Sequence, residues 1–355
     1  MSLEMNLKII LERAIKDNAS DVFIVAGLPV SFRTNGTINH VTEEKLFPQH
    51  TEALLNDIYE LAGHRSMEHL HTLGDDDFSF AIQGLSRFRV SAYKQRGSLS
   101  AVIRIITFDL PDYTALGIPE HVMQLTDTSK GMILVTGPAG SGKSTTLACM
   151  INQINNTQKK HIITLEDPLE YLHQHKKSIV SQREIQIDTE NYVSALRAAL
   201  RQSPDVILLG EMRDYETMQV AMTAAETGHL IFSTLHTIGA ASTIDRIIDV
   251  FPPNQQHQIA VQLSMVLQAV ISQQLVPSID EKMIPVFEIM TVTPAIRNMI
   301  RDNKIPQLEG IISSSAGGEI ISMDSSLLTL YKEGQITAET ALAYATNPEM
   351  LKRKM

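Results

Sequence analysis

Residues 137–144 read Gly-Pro-Ala-Gly-Ser-Gly-Lys-Ser and follow directly on the apolar run Met132-Ile133-Leu134-Val135. That order suits a phosphate-binding loop: a buried strand, a glycine-rich turn, then a helix whose first N–H groups have no partner within it. Gly137, Gly140 and Gly142 let the backbone wrap until its N–H groups converge on one phosphate. Pro138, Ala139 and Ser141 complete the turn. Lys143 adds a point charge toward the outer phosphates, and the Ser144 hydroxyl, followed by Thr145, is placed to ligate Mg²⁺. The chemistry expected is binding of a nucleoside triphosphate.

Three further polar clusters follow predicted strands, at the end of an open α/β sheet where ligands bind. Glu166-Asp167-Pro168-Leu169-Glu170 comes after His161–Leu165, and its carboxylates could orient an attacking water or hold a metal. Asp205–Asp214 has the form of a Walker B strand, four apolar residues and then an acid. Gly210 stands where an aspartate is usual, which leaves Glu211 as the carboxylate for a metal shell or for polarising water. In Thr227-Gly228-His229 and Thr234-Leu235-His236-Thr237 two histidines bracket a strand. His236 is expected on the same sheet edge as the phosphate loop, as a γ-phosphate sensor. No pair of histidines has metal-ligand spacing. Arg87, Arg89, Arg96 and Arg104 concentrate on the last strands of the first segment, far in sequence from the loop they could serve.

The elements that must position these groups divide the chain in two. An α+β domain is expected over 1–107, a linker with Pro111 and Gly117 over 108–118, and an α/β domain over 119–355. In the first, Leu7–Ile15 patterns as a helix, Val22–Ala26 as a strand, and Val30–Thr34 with Thr37–Val41 as a hairpin turned at Asn35-Gly36. A helical stretch over Gln49–Leu73 and strands Phe78–Ile82, Arg87–Tyr93 and Leu99–Ile106 follow the same patterning. In the second, strands Met132–Thr136, His161–Leu165, Val206–Leu209 and His229–Thr234 alternate with helices over Thr189–Gln202 and Asp214–Thr227. Beyond about Pro252 the chain is expected to be mostly helical, with Ile259, Leu263, Val266, Leu267, Val270 and Ile271 forming an apolar stripe that stops at Pro277. Short helices over Thr293–Asp302, Pro306–Ser314, Ser325–Glu333 and Thr337–Ala345 close the chain.

At 355 residues, 43% hydrophobic and with one cysteine, the chain has the composition of a soluble protein in a reducing compartment. A single cysteine allows neither an intramolecular disulfide nor a Cys₄ zinc module. No apolar run is long enough to span a bilayer and no secretory leader is visible at the start, so a cytoplasmic location without membrane insertion is expected. The net charge of −10, the absence of tryptophan and 5% aromatics disfavour a nucleic-acid track.

With these residues in view, the chain resembles the secretion-superfamily ATPases and, among them, the type IV pilus retraction ATPases. The resemblance runs over nearly the whole chain. It is carried by Ala19-Ser20-Asp21, Ala26-Gly27-Leu28-Pro29, Asp77-Phe78-Ser79-Phe80, Arg87-Phe88-Arg89-Val90 and the phosphate loop, and by the clusters at 165–170, 210–214 and 225–237. Ala295-Ile296-Arg297-Asn298-Met299-Ile300-Arg301-Asp302 is similar to the helical motif of retraction motors. The resemblance implies a PAS-like N-terminal domain, a RecA-like ATPase domain with a helical C-terminal extension, and a homohexameric ring hydrolysing ATP with Mg²⁺. It implies Glu166 as catalytic base, Glu211 near the metal, His229 and His236 at phosphate, and Arg89, Arg96 and Arg104 at nucleotide held by the large domain. It also implies partners in the pilus machinery, an inner-membrane platform protein above all, and work at the inner face of the cytoplasmic membrane. Phe23 replaces the family's usual histidine, and Met299 and Asp302 its leucine and glutamate. Arg297 and Arg301, four apart on a face other than that of the apolar residues, are expected to be free to meet a partner or a neighbouring element. An accessory retraction or secretion-type ATPase is the nearest alternative. A nucleic-acid translocase and a nucleotide-gated ring with negligible turnover are the readings from other classes.

Overall fold

The computed structural model describes residues 6–34, 36–106, 110–315 and 318–355. Asn35 of the expected hairpin turn and residues 107–109 at the expected domain junction lie outside these. Two compact units form: Met1–Asp109 with Glu170–Leu172, and Leu110–Leu169 with His173–Met355.

The first unit begins with α1 (Leu7–Lys16), started by Asn6, whose side chain accepts the Lys8 and Ile9 N–H groups. The strands β1 (Asp21–Ile24), β2 (Ser31–Thr34) and β3 (Thr37–His40) follow, then α2 (Pro48–Leu61), α3 (Glu68–Leu73), β4 (Asp75–Ile82), β5 (Ser86–Gln95) and β6 (Ser98–Ile106). All six strands pair antiparallel in the order β3-β2-β1-β6-β5-β4. The single helix expected over Gln49–Leu73 is two helices, because Gly63 and His64 both take left-handed φ. Asp75, Asp76 and Asp77 open β4. Asp76 is buried there under a bidentate bond from Arg65 (2.8 and 3.0 Å) and one from the Tyr59 hydroxyl (2.9 Å), so its charge is compensated.

The second unit runs α4 (Glu120–Gln124), β7 (Gly131–Thr136), α5 (Lys143–Thr157), β8 (His161–Glu166), β9 (Ile179–Glu184), α6 (Tyr192–Ala199), β10 (Val206–Leu209), α7 (Tyr215–Glu226) and β11 (Leu230–Leu235). It continues with α8 (Ala240–Asp249), α9 (Pro253–Val266), β12 (Leu267–Pro277), β13 (Met283–Thr291), α10 (Pro294–Arg301), α11 (Ile305–Ser314), β14 (Ile320–Ile321), α12 (Met323–Lys332), α13 (Ala338–Tyr344) and α14 (Pro348–Lys354). One sheet orders β14-β13-β12-β7-β11-β10-β8-β9, parallel from β12 through β9. Apolar cores fill both of its faces, one around Leu134, Ile163, Leu209 and Ile231, the other around Ile133, Val135, Ile162 and Phe232. This is the expected α/β architecture, with strands buried on both faces reading as continuous apolar runs.

One expectation fails. The apolar stripe from Ile259 does not continue as helix to Pro277: α9 ends at Val266, and Leu267 onward is β12, paired to β7 and backed by β13. Both faces of β12 are buried, so its sequence shows no alternation, and its apolar spacing fits a helix equally well.

Candidate active site

The parallel register decides which polar groups meet. β7, β11, β10 and β8 run side by side in one direction, so their C-terminal ends share an edge. Along that edge stand the phosphate loop after Thr136, His236 after Leu235, Gly210-Glu211 after Leu209, and Glu166 as the last residue of β8.

The loop is held from below by a residue the sequence reading missed. Gln273 of β12 lies under it: a Cβ on Gly137 would fall 2.1 Å from the Gln273 carbonyl oxygen, and one on Gly142 2.9 Å from the Gln273 Nε2. Both glycines also have positive φ, so neither position accepts a side chain. The Gln273 Oε1 accepts from the Thr146 hydroxyl at 2.7 Å, fixing the first turn of α5. Lys143 is buried, and its Nζ donates to the carbonyls of Gly137 (3.0 Å) and Pro138 (2.8 Å). Pro138, Ala139 and Gly140 form the exposed rim, while Ser144 and Thr145 are half-buried on α5. The Ser141 hydroxyl is buried without a hydrogen-bond partner, which suits a loop shaped to present donors to a phosphate. Beside the first turn of α5 opens a cavity of about 690 Å³, lined by Gly142, Thr145, Thr146, Gln273 and the 114–118 segment.

Glu211 is held at both oxygens. Arg213 Nη2 reaches Oε1 at 2.6 Å and His236 Nε2 lies 3.4 Å from Oε2. The Thr234 hydroxyl donates to the Gly210 carbonyl at 2.6 Å, tying the end of β11 to the turn that carries Glu211. Behind them stands Tyr192 of α6, a second residue missed. Burial first, and then the negative charges of Glu211, Asp167 and Glu166, push its hydroxyl well above the usual tyrosine range. The turns that carry the two clusters are adjacent here: a Cβ on Gly210 would sit 3.4 Å from the Glu166 Cα. Tyr192 also crowds Gly210: a Cβ there would sit 2.8 Å from the Tyr192 hydroxyl, so a side chain at 210 requires the tyrosine to shift.

His229 does not join this edge. It precedes β11, and His236 follows it, so the strand separates them by roughly 20 Å at ~3.3 Å per residue. Its Nδ1 lies 2.9 Å from the Ala224 carbonyl oxygen and 3.3 Å from the Thr227 hydroxyl, which closes the end of α7. A phosphate role at this chain's own loop is therefore corrected to a structural one, for the geometric reason that the two ends of a strand face opposite edges.

The sequence profile described as "Type II/IV secretion system protein" matches residues 1–317. The chain belongs to that family. It is 42% identical over 345 residues to a "Type IV pilus retractation ATPase PilT" of Pseudomonas aeruginosa, covering 97% of this chain and 99% of that one. To a "Twitching motility protein" of Neisseria gonorrhoeae it is 47% identical over 276 residues, covering 78% of this chain and 74% of that one. A crystal structure of the pilus retraction motor PilT with bound ADP is similar at a TM-score of 0.88 and 45% identity, covering 98% of each chain. These findings make the chain an ATPase of the pilus-retraction type.

In this retraction-type ATPase the N-terminal arginines separate into two places. Arg89 of β5 and Arg104 of β6 are directly opposite one another, and Arg104 Nε donates to Asp21 Oδ1 at 3.1 Å. That carboxylate offsets the repulsion of two like charges on one rung. Arg96 sits in the β5–β6 turn with left-handed φ, at the far end of the hairpin and roughly 20 Å from Arg89 at ~3.3 Å per residue. It lines a separate cavity of about 400 Å³ with Lys45, Phe47 and Gly27.

The helical retraction motif falls on α10, with Ile296 and Ile300 buried as expected. Arg297 meets a neighbouring element, the second of the two expected possibilities. Its guanidinium donates to the carbonyls of Ser264 and of Met265 (2.8 Å), capping the end of α9 where the chain turns into β12. Arg301 instead pairs with its neighbour Asp302 at 3.4 Å, in the open. Arg297→Ala is therefore expected to lower stability by about 1–2 kcal/mol, the scale of a charged donor lost from helix-end carbonyls. Arg301→Ala should change it by less than ~0.5 kcal/mol. Thermal melts of the two single variants check this, and equal melting temperatures would contradict the capping role.

Proposed function

We propose that this chain is a homohexameric motor that hydrolyses ATP to drive retraction of type IV pili. The observation that carries the chemistry is the shared edge at which Lys143, Glu166, Glu211 and His236 stand on consecutive parallel strands. The loop N–H groups and Lys143 bind the phosphates, and the cavity beside α5 takes the rest of the nucleotide. Glu166 accepts the proton of the attacking water, and His236, set beside Glu211, responds to the γ-phosphate. Ser144 and Glu211 would hold Mg²⁺, which supplies charge neutralisation between the outer phosphates when bound. Among the described residues no group of three or more His, Cys, Asp or Glu forms a metal cage. That fits an ion bound largely through nucleotide oxygens and water.

The ring is part of the proposal because Arg89 and Arg104 form a two-cation rung on a unit separate in the fold from the phosphate loop. We assign this rung to nucleotide across a subunit boundary, while Arg96, at the other end of the hairpin, cannot reach the same phosphate. No described helix is long and apolar enough to cross a membrane. By analogy with pilus motors we place the chain at the cytoplasmic face through partners, an inner-membrane platform protein among them. Specific activity is expected to rise with protein concentration until rings are populated. Mixing Arg89→Ala subunits with Lys143→Ala subunits should restore some activity, since certain interfaces regain both groups. A fully active monomer in sedimentation would refute the ring. In cells, loss of twitching on deletion, restored by this chain and not by its Lys143→Ala form, tests the retraction role.

A further inference from the structure

Glu288 belongs to none of the clusters above, yet it is a buried carboxylate near the middle of the ATPase unit. It lies on β13 with 5% of its surface exposed. Its Oε1 accepts the N–H of Ala240, the first residue of α8, at 2.8 Å. Its Oε2 accepts the N–H of Met323, the first residue of α12, at 3.4 Å. One carboxylate thus holds the starts of two helices, each of which presents unpaired N–H groups and the positive end of its dipole.

The first of these helices begins four residues after His236. Within it, the buried Thr243 hydroxyl lies 2.7 Å from that of Thr237 and 3.5 Å from that of Thr136, the residue before the phosphate loop. Gly239 N–H donates to Ser272 Oγ of β12 at 2.8 Å, next to Gln273. The path from Glu288 to the His236 loop therefore consists of one carboxylate bond and one helical turn. The phosphate loop has its own support in Gln273, and α8 meets the residue before it through the long Thr243–Thr136 contact.

The geometry points to Glu288 as a positioning residue for hydrolysis, whose carboxylate anchors the start of α8 and so holds the His236 loop at the nucleotide. It also makes that loop and the C-terminal helix α12 share one anchor. The inference rests on the reading of the phosphate loop and His236 as the nucleotide site.

The charge state of the anchor is set by its surroundings. Burial raises the Glu288 pKa above the ordinary 4.5, the Ala240 and Met323 N–H groups oppose that, and Asp324 of α12 and Glu309 of α11 raise it further. Asp245 of α8 faces Asp249 and Glu309 in turn, and β12 contributes the uncharged Ser272 and Gln274 to this region. No cation lines the cavity of about 620 Å³ beside Glu288. As pH falls toward the ordinary carboxylate range, Glu288 takes up a proton earlier than an exposed glutamate. Because its folded pKa is raised, that proton uptake adds to fold stability while it weakens the anchor. Activity should fall on this limb without a matching fall in stability from this group.

The test is Glu288→Gln, which keeps the shape but offers only one acceptor oxygen. Purified full-length protein is assayed for kcat from about pH 5 to 8 and for ADP affinity. The expected result is a kcat about tenfold lower at neutral pH, ADP affinity within about twofold, and loss of the acid limb attributable to this group. A kcat and pH profile matching the parent would overturn the inference. So would kcat and ADP affinity falling together with the folded fraction in thermal melts, because Glu288 would then be structural only. Lys143→Ala serves as the separate control: turnover retained there would defeat the site reading itself, whatever Glu288 does.

Discussion

Replacing Lys143 by alanine is expected to abolish ATP turnover, by ~10³-fold or more, and to weaken nucleotide binding ~10–100-fold. The side chain is buried within the loop and is the only cation in the 137–144 run. Its ammonium already lies against the carbonyls of Gly137 and Pro138, so it reaches a phosphate in the loop by a small rotation. With alanine, the outer phosphates lose a charged donor in a site where water is partly excluded. Charge developing on the transferred group would then meet only backbone N–H dipoles. Steady-state phosphate release and titration with a fluorescent ADP analogue measure the two effects separately. A variant that keeps a tenth of parental turnover would remove Lys143 from the chemistry.

Glu166→Gln and Glu211→Gln are expected to bind ATP near-normally and to slow its hydrolysis by at least ~10²-fold each, the scale of a lost general base. The two should differ in detail. Glu166 ends β8, where its backbone carbonyl accepts the Ile185 N–H at 2.8 Å, and glutamine keeps that backbone bond while removing the carboxylate charge. Glu211 is gripped by Arg213 and His236, and a glutamine there keeps its oxygen for Arg213 but meets His236 only by donating to an unprotonated Nε2. Glu211→Gln therefore removes the charge that a protonated His236 would pair with, and Arg213→Ala should reproduce a part of its defect. Single-turnover hydrolysis with bound ATP isolates the step. Near-parental rates in both glutamine variants would leave the shared edge without its assigned base and metal-side carboxylate.

Much of this site is legible as local grammar. The phosphate loop, Glu166 and Glu211 each sit where a short apolar run stops, and a strand end is recognisable from a few residues on either side. Helix starts are equally local: Asn191, Asp214 and Thr293 each accept an N–H of the helix that follows them. What fails does so for physical reasons. In β12 burial on both faces removes the alternation that marks a strand, so a helix-compatible spacing misleads. Gln273 lies 127 residues from its partner Thr146, and no motif announces it. His236 is expected at the loop edge from the sequence, and the parallel pairing of β11 with β7 puts it there while leaving His229 at the other end of the strand. For Arg297 the sequence leaves open a partner or a neighbouring element, because the carbonyls it caps belong to another helix.

The sequence by itself determined the chemistry. A contiguous glycine-rich run with one lysine and one serine requires no distant residue to specify a phosphate cradle, because the conformations it needs are encoded in the glycines themselves. The tertiary structure decided the company that cradle keeps. Parallel pairing of β7, β11, β10 and β8 fixed which strand ends share an edge. That register brought Glu166, Glu211 and His236 together, sent His229 to the other side, and set Gln273 and Glu288 beneath loops they do not adjoin in sequence. Such placements arise from burying both faces of one sheet, a property of the whole unit that no local segment carries.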